Sequence, residues 1–138
     1  MIGYLDSSVV LRKILRQSES LPEWSRLKVS YSSRLLRLEC LRTLDRMRLA
    51  SSLTDEQLVE CRNRLRQFLS QMGMIPLTEA VLKRAEDPFA TPLGTLDGIH
   101  LATALLWRET RGDDFVFATH DQELALAAQA HGFNVIGT

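Results

Sequence analysis

Two cysteines in 138 residues are too few for a disulfide scaffold. Cys40 and Cys61 fall in different helix-like segments with no short metal-type spacing, which suits reduced thiols in apolar positions. Aromatic residues make up only 7% of the chain, and no series of them is spaced as a platform for stacked bases. Tyr4, Trp24, Trp107 and the phenylalanines are therefore read as core. No stretch approaches the ~20 apolar residues that cross a bilayer, and no basic segment leads into an apolar run at the start; the expectation is a cytoplasmic protein without a membrane partner. Repeats, low-complexity tracts and linkers are missing too. Net charge is zero, with 17 basic and 17 acidic residues, so nothing global marks a nucleic-acid binder.

What is present is a 45% hydrophobic composition, enough for one core, and the reading is a single domain over residues 1–138. Strand and helix patterns alternate. Ile2 to Leu5 is an unbroken apolar run, as in a parallel strand covered on both faces, and a helix is expected from Ser8 to Arg16. "SLPEWSRL" suggests a short helix with Pro22 in its first turn. "LKVSYSS" reads as a strand whose serines cap the long helix "RLLRLECLRTLDRMRLA". "LTDEQLVECRNRLRQFLSQMG" has helical spacing, a Thr54 start and a Gly73 stop. A strand "MIPLT", a helix "EAVLKRAED" and the breaker-rich loop "PFATPLG" follow. "TLDGIHLATALLWRE" is a buried-looking helix, "DFVFATHD" a strand, "QELALAAQAHG" a helix ended by Gly132, and "FNVIG" a last short strand. This order implies an α/β fold with a mainly parallel central sheet of four or five strands and helices on both faces.

Charge is unevenly placed. Residues 12–66 carry 13 Lys/Arg against 7 Asp/Glu, residues 67–138 carry 4 against 9, and Asp6 completes the balance. Most of the basic residues are arginines, suited to planar contact with phosphate or carboxylate. Solvated helix faces, with Arg62 and Arg66 paired to acids such as Glu60, explain the same pattern.

The most informative residue is Asp6, which ends a buried strand on a carboxylate. A helix cap is the plain explanation. Yet Asp121 stands just past "VFAT", Glu39 lies about two turns into the helix after the second strand, and Asp97 opens the buried-looking helix. In open α/β sheets ligands bind beyond the carboxyl ends of the strands, so all four acids are expected at one edge. Asp97 and Asp121 could also be caps or first-turn acids, and Glu39 an exposed partner of Arg42. Clustered carboxylates repel unless a cation holds them. An all-oxygen set suits Mg²⁺ or Mn²⁺, ions that activate water and stabilise a phosphodiester under attack. Asp113 and Asp114 read as loop acids.

"MIGYLDSSVVL", "LLRLECLR", "TLDGIHLATALL" and "FATHDQELALAAQAHGF" together resemble the successive signatures of PIN-domain ribonucleases, in particular the VapC toxins of prokaryotic toxin–antitoxin pairs. The resemblance spans almost the whole chain and rests on four motifs in order. It implies a Mg²⁺- or Mn²⁺-dependent endoribonuclease with RNA as substrate and a small antitoxin partner that inhibits it. Position by position, Asp6, Glu39, Asp97 and Asp121 match the family's acidic quartet, with Asp6 and Asp97 as principal ligands and Glu39 and Asp121 completing the cage. Thr119 matches the supporting hydroxyl before the last acid, and Ser8 is a similar candidate alongside helix capping. Gly98 takes the place of the usual small residue after the third acid.

Arg12, Arg34, Arg37 and Arg42 are candidates for contact with RNA phosphate or an acidic antitoxin segment. Amphipathic segments between residues 12 and 66 suit partner binding and a homodimer. His100, three residues after Asp97, is a candidate proton carrier or a packed helix histidine; His120 and His131 are read as structural. Two rivals remain: a non-catalytic α/β binding module whose acids are only caps, and a phospho-accepting signalling domain. The latter wants paired acids after the first strand and a late lysine, whereas Asp6 is followed by Ser7 and the last lysine is Lys83.

Overall fold

Ile2–Leu5 forms strand β1, and Gly3, Tyr4 and Leu5 are all buried, as an apolar run covered on both faces requires. The structure is a computed structural model that describes residues 1–112 and 114–138. Beyond β1 the described elements are helix α1 (Ser7–Ile14), a 3-10 turn (Pro22–Arg26), strand β2 (Val29–Ser33), helices α2 (Leu35–Leu49) and α3 (Asp55–Ser70), and strand β3 (Gly73–Ile75). Helices α4 (Glu79–Glu86) and α5 (Thr95–Arg111), strand β4 (Val116–Ala118), helix α6 (Gln122–Ala130) and strand β5 (Asn134–Ile136) follow.

All five strands pair in parallel in the order β3-β2-β1-β4-β5. The chain builds outward from β1 through β2 to β3, then returns to lay β4 on the other side of β1. The carboxyl ends of β1 and β4 therefore flank the point where strand order reverses, the usual place for a ligand crevice in this architecture.

Alternation along β1 sorts the core into two layers. Leu5 packs with Val9, Val10 and Ile14 of α1, Leu36, Cys40 and Leu44 of α2, and Cys61 and Leu65 of α3. Its neighbour Tyr4 points the other way, into Leu101, Ala104 and Leu105 of α5, Phe117 of β4, and Leu124 and Ala127 of α6. The period of two along a strand produces this split, and it puts helices on both faces of the sheet. Cys40 and Cys61 are free and buried, as their spacing suggests. Among the described residues no helix is long and apolar enough to cross a membrane.

Element ends depart from expectation for local reasons. Helix α1 stops at Ile14, and Arg16 takes a left-handed φ of 54°. Gly73 is not a helix stop; it is the first residue of β3, and a Cβ there would lie 2.3 Å from the Tyr31 ring, so the glycine serves close strand packing. Strand β3 ends before Pro76, which lacks the N–H that a ladder needs. Strand β4 is shorter than "DFVFATHD": it covers Val116–Ala118, with the Thr119 amide making one further bond to the Ile136 carbonyl at 3.0 Å. Asp114 lies in an exposed loop, and Asp113 lies outside the described residues.

Gly132 follows α6 with φ +86°, as a left-handed helix terminator. Gly137 has φ +104°, and a Cβ there would stand 2.4 Å from the Thr119 carbonyl oxygen. Gly137→Ala is accordingly expected to lower stability by about 1–3 kcal/mol through strain and overpacking, read as an earlier midpoint in urea unfolding.

Candidate functional site

The backbone at the end of β1 stays tied to β4, with the Asp6 amide donating to the Ala118 carbonyl at 3.1 Å. Its side chain turns toward α1 and caps it, accepting from the Val9 amide at 3.3 Å. Two hydroxyls also donate to this carboxylate: Ser8 Oγ to Oδ1 at 2.6 Å and Thr119 Oγ1 to Oδ2 at 2.8 Å. Asp6 is only 3% exposed. Burial pushes its pKa up, against His100 nearby and the three hydrogen bonds, which all favour the charged form.

The same hydroxyls reach across to the end of β4. Ser8 Oγ accepts from the His120 amide at 2.9 Å, and Thr119 Oγ1 accepts from the Asp121 amide at 3.0 Å. A two-point clasp thus fixes Asp6 to the segment that carries Asp121. Asp121 itself caps α6, with Oδ1 accepting from the Leu124 amide at 3.0 Å. Behind this segment His120 Nδ1 lies 2.7 Å from the Gly137 carbonyl oxygen.

Glu39 is the fifth residue of α2 and its side chain is 12% exposed. Arg42 does not pair with it; Arg42 and Arg48 both pair with Asp45, at 3.3 and 3.1 Å. Glu39 turns inward. Its Oε1 is 2.5 Å from His100 Nε2, and Oε2 accepts from Ser7 Oγ at 3.4 Å. On the far side of the imidazole, Nδ1 lies 2.7 Å from the Tyr4 hydroxyl. His100 is therefore a packed helix histidine, 1% exposed, and it touches an acid of the quartet.

Asp97 sits in the first turn of α5, whose N-cap is Gly94. It caps nothing, and among the described residues it makes no hydrogen bond or ion pair. Its pKa is pushed up to about 6, first by burial and then by Asp121 and Asp6, with His100 opposing and Glu39 adding. The fields of the other three carboxylates converge on this one. In donor chemistry the set fits a hard divalent cation: four carboxylates from distant parts of the chain, mutually repelling. Among the described residues no three His, Cys, Asp or Glu side chains already stand together as a metal cage. What joins the four acids here is electrostatic, through the shift at Asp97.

A sequence profile of the PIN-domain family matches residues 3–130. The chain belongs to the PIN-domain family. Asp6, Glu39, Asp97 and Asp121 all lie inside the matched span of this PIN domain. It is similar in fold to a solved toxin–antitoxin complex from Klebsiella pneumoniae, with a TM-score of 0.62 and 17% identity over 89% of this chain and 90% of that one. No curated protein matches it.

The arginine candidates separate. Arg12 pairs with Glu19 at 3.6 Å and Arg42 with Asp45. Arg34 and Arg37 instead join Arg62 and Arg66 around a groove of about 480 Å³ floored by Leu41, Leu65, Leu69 and Met74. Among the described residues no carboxylate pairs with these four; Glu60 is taken by Arg64 at 3.6 Å. His131 lies elsewhere, its Nε2 accepting from the Ala90 amide at 3.2 Å. Sequence reasoning about this PIN domain missed the Tyr4–His100–Glu39 contact and the bond from Ser7. The available signals were a lone tyrosine in an aliphatic strand and a histidine on the inner face of α5.

Proposed function

We propose that this chain is a metal-dependent endoribonuclease of VapC type, the toxin of a toxin–antitoxin pair, acting in the cytoplasm as a single nuclease domain. The observation that carries the proposal is Asp97: a half-buried carboxylate without a partner among the described residues, its pKa raised to about 6 first by burial and then by the three other acids. Asp6 and Asp97 are the principal ligands for Mg²⁺ or Mn²⁺, and Glu39 and Asp121 complete the set. A divalent ion held there supplies an activated water and charge stabilisation for hydrolysis of an RNA phosphodiester. The chain's own part is orientation. Ser8 and Thr119 fix the Asp6 carboxylate by donating to it, and Asp121 keeps one oxygen on its helix cap while the other is left for a ligand role.

The solved relative is a toxin–antitoxin complex, which supports an antitoxin partner here. Of the four arginine candidates, Arg34 and Arg37 suit contact with RNA phosphate or an acidic antitoxin segment, because among the described residues no carboxylate pairs with either; Arg12 and Arg42 are already paired. A homodimer is part of the same reading. The caps formed by Asp6 and Asp121 favour a second reading, a non-catalytic binding module.

Cleavage of a mixed RNA pool with Mn²⁺, Mg²⁺ or chelator, by the wild type and by Asp6→Asn and Asp97→Asn, separates the two. Metal-dependent cutting that both variants lose is the expected result. No cutting together with no metal-induced rise in melting temperature would leave the binding module.

A further inference from the structure

Glu39 is carried on helix α2, outside the clasp that fixes Asp6 and Asp121. Something else must aim it. The imidazole of His100 lies 2.5 Å from Glu39 Oε1 and 2.7 Å from the Tyr4 hydroxyl, in a line that is buried at Tyr4 and His100 and part-buried at Glu39. A carboxylate only accepts, so the proton shared with it belongs to Nε2. In the neutral ring Nδ1 accepts from the Tyr4 hydroxyl, and in the protonated ring Nδ1 donates to it, so the Nε2–H stays on Glu39 in either state. Tyr4 in turn is locked by the sheet, stacked on Phe117 at 5.2 Å between ring centres.

We infer that His100 is a positioning residue for Glu39, with Tyr4 selecting its tautomer, so that the carboxylate of Glu39 is aimed before any cation arrives. The inference rests on the metal-site reading above. Any imidazole at this depth needs partners for its nitrogens; what is particular here is that one partner is an acid of the quartet, on α2, and the other is Tyr4 of the central strand β1. Partners behind a metal ligand commonly set its orientation and basicity.

Three variants test it. His100→Leu keeps bulk and loses both bonds; His100→Gln restores an N–H at the reach of Nε2; Tyr4→Phe leaves the imidazole free to turn its proton away from Glu39. Mn²⁺ affinity is measured by the spin-resonance signal of free ion, and the tautomer by nitrogen NMR of the metal-free protein. Expected are an Nε2–H tautomer in the wild type, a loss of Mn²⁺ affinity of roughly 10- to 100-fold in His100→Leu, substantial recovery in His100→Gln, and a mixed tautomer with a smaller loss in Tyr4→Phe. If the wild type binds Mn²⁺ and His100→Leu binds it equally well, the positioning role is overturned while the metal site stands. Should His100→Leu fail to fold, unchanged tautomer and affinity in Tyr4→Phe overturn it instead. A wild type that binds no Mn²⁺ removes the metal-site reading and this inference with it.

Discussion

Asp6→Asn is expected to abolish metal-dependent RNA cleavage, by at least roughly 100-fold, since even outer-shell partners of a metal commonly cost 10- to 100-fold. The fold should survive, because an asparagine carbonyl still accepts from the Val9 amide and one hydroxyl, and asparagine is as good a cap as aspartate. Asp6→Ala is a different experiment. It uncaps α1 and strands the Ser8 and Thr119 hydroxyls in a site only 3% exposed, at about 2–4 kcal/mol for a lost cap together with unsatisfied buried groups. Comparing the two by urea unfolding and by cleavage separates the charge of Asp6 from its role in the clasp. Equal activity in Asp6→Asn and wild type would leave Asp6 as a cap alone.

Asp97→Asn should have the opposite effect on stability. In the metal-free protein a carboxyl raised from 3.8 to about 6 is held in its neutral form by the fold. Between those pH values the folded state binds more protons than the unfolded one, so stability falls as pH rises from about 4 through 6. Ionising it at neutral pH amounts to roughly 3 kcal/mol, or nearer 1–2 kcal/mol once screening at a half-buried position is counted. Asp97→Asn removes that penalty: the metal-free variant is expected to melt above the wild type at pH 7, to match it near pH 4, and to gain nothing from Mn²⁺. A drop of several kcal/mol at pH 7 would mark Asp97 as half of a structural pair instead. The same shift predicts that Mn²⁺ binding by the wild type strengthens with pH up to about 6 and then levels off, since the ion competes with a proton for Asp97.

Much of this site could be read from residue order. Ile2–Leu5 announced a covered strand because four apolar residues without alternation have few other uses, and the acid after it was informative for the same reason. Placing acids after strands, or at a helix start, needs only the strand–helix alternation, and that pattern is strong in this chain. Strand ends were less legible. Thr119 looks like a continuation of β4, and its amide does still donate to the Ile136 carbonyl at 3.0 Å; what the sequence does not announce is its side chain, which donates to Asp6 and accepts from the Asp121 amide. Gly73 was misread as a helix stop because glycine's freedom is visible in a sequence and its lack of a side chain against Tyr31 is not. The His100 contacts stayed hidden because they join residues 61 and 96 positions apart, and no local pattern encodes such a meeting. The arginines divide by pairing, which depends on where Glu19, Asp45 and Glu60 sit in space.

Strand β1 occupies the middle of the sheet, and its two neighbours are made at different times. Strand β2 follows β1 closely along the chain, but β4, opposite Gly3 at Val116, is made much later. The bond from Thr119 to Asp6 closes a separation of 113 residues. A growing chain on the ribosome can therefore assemble β1, β2 and their helices while Asp6 lacks both Thr119 and Asp121. Contacts of such long separation form late and slowly. Under the proposed function, competence would then arise only once β4 and the segment that carries Thr119 and Asp121 have joined β1, so a chain stopped before them would hold an incomplete site.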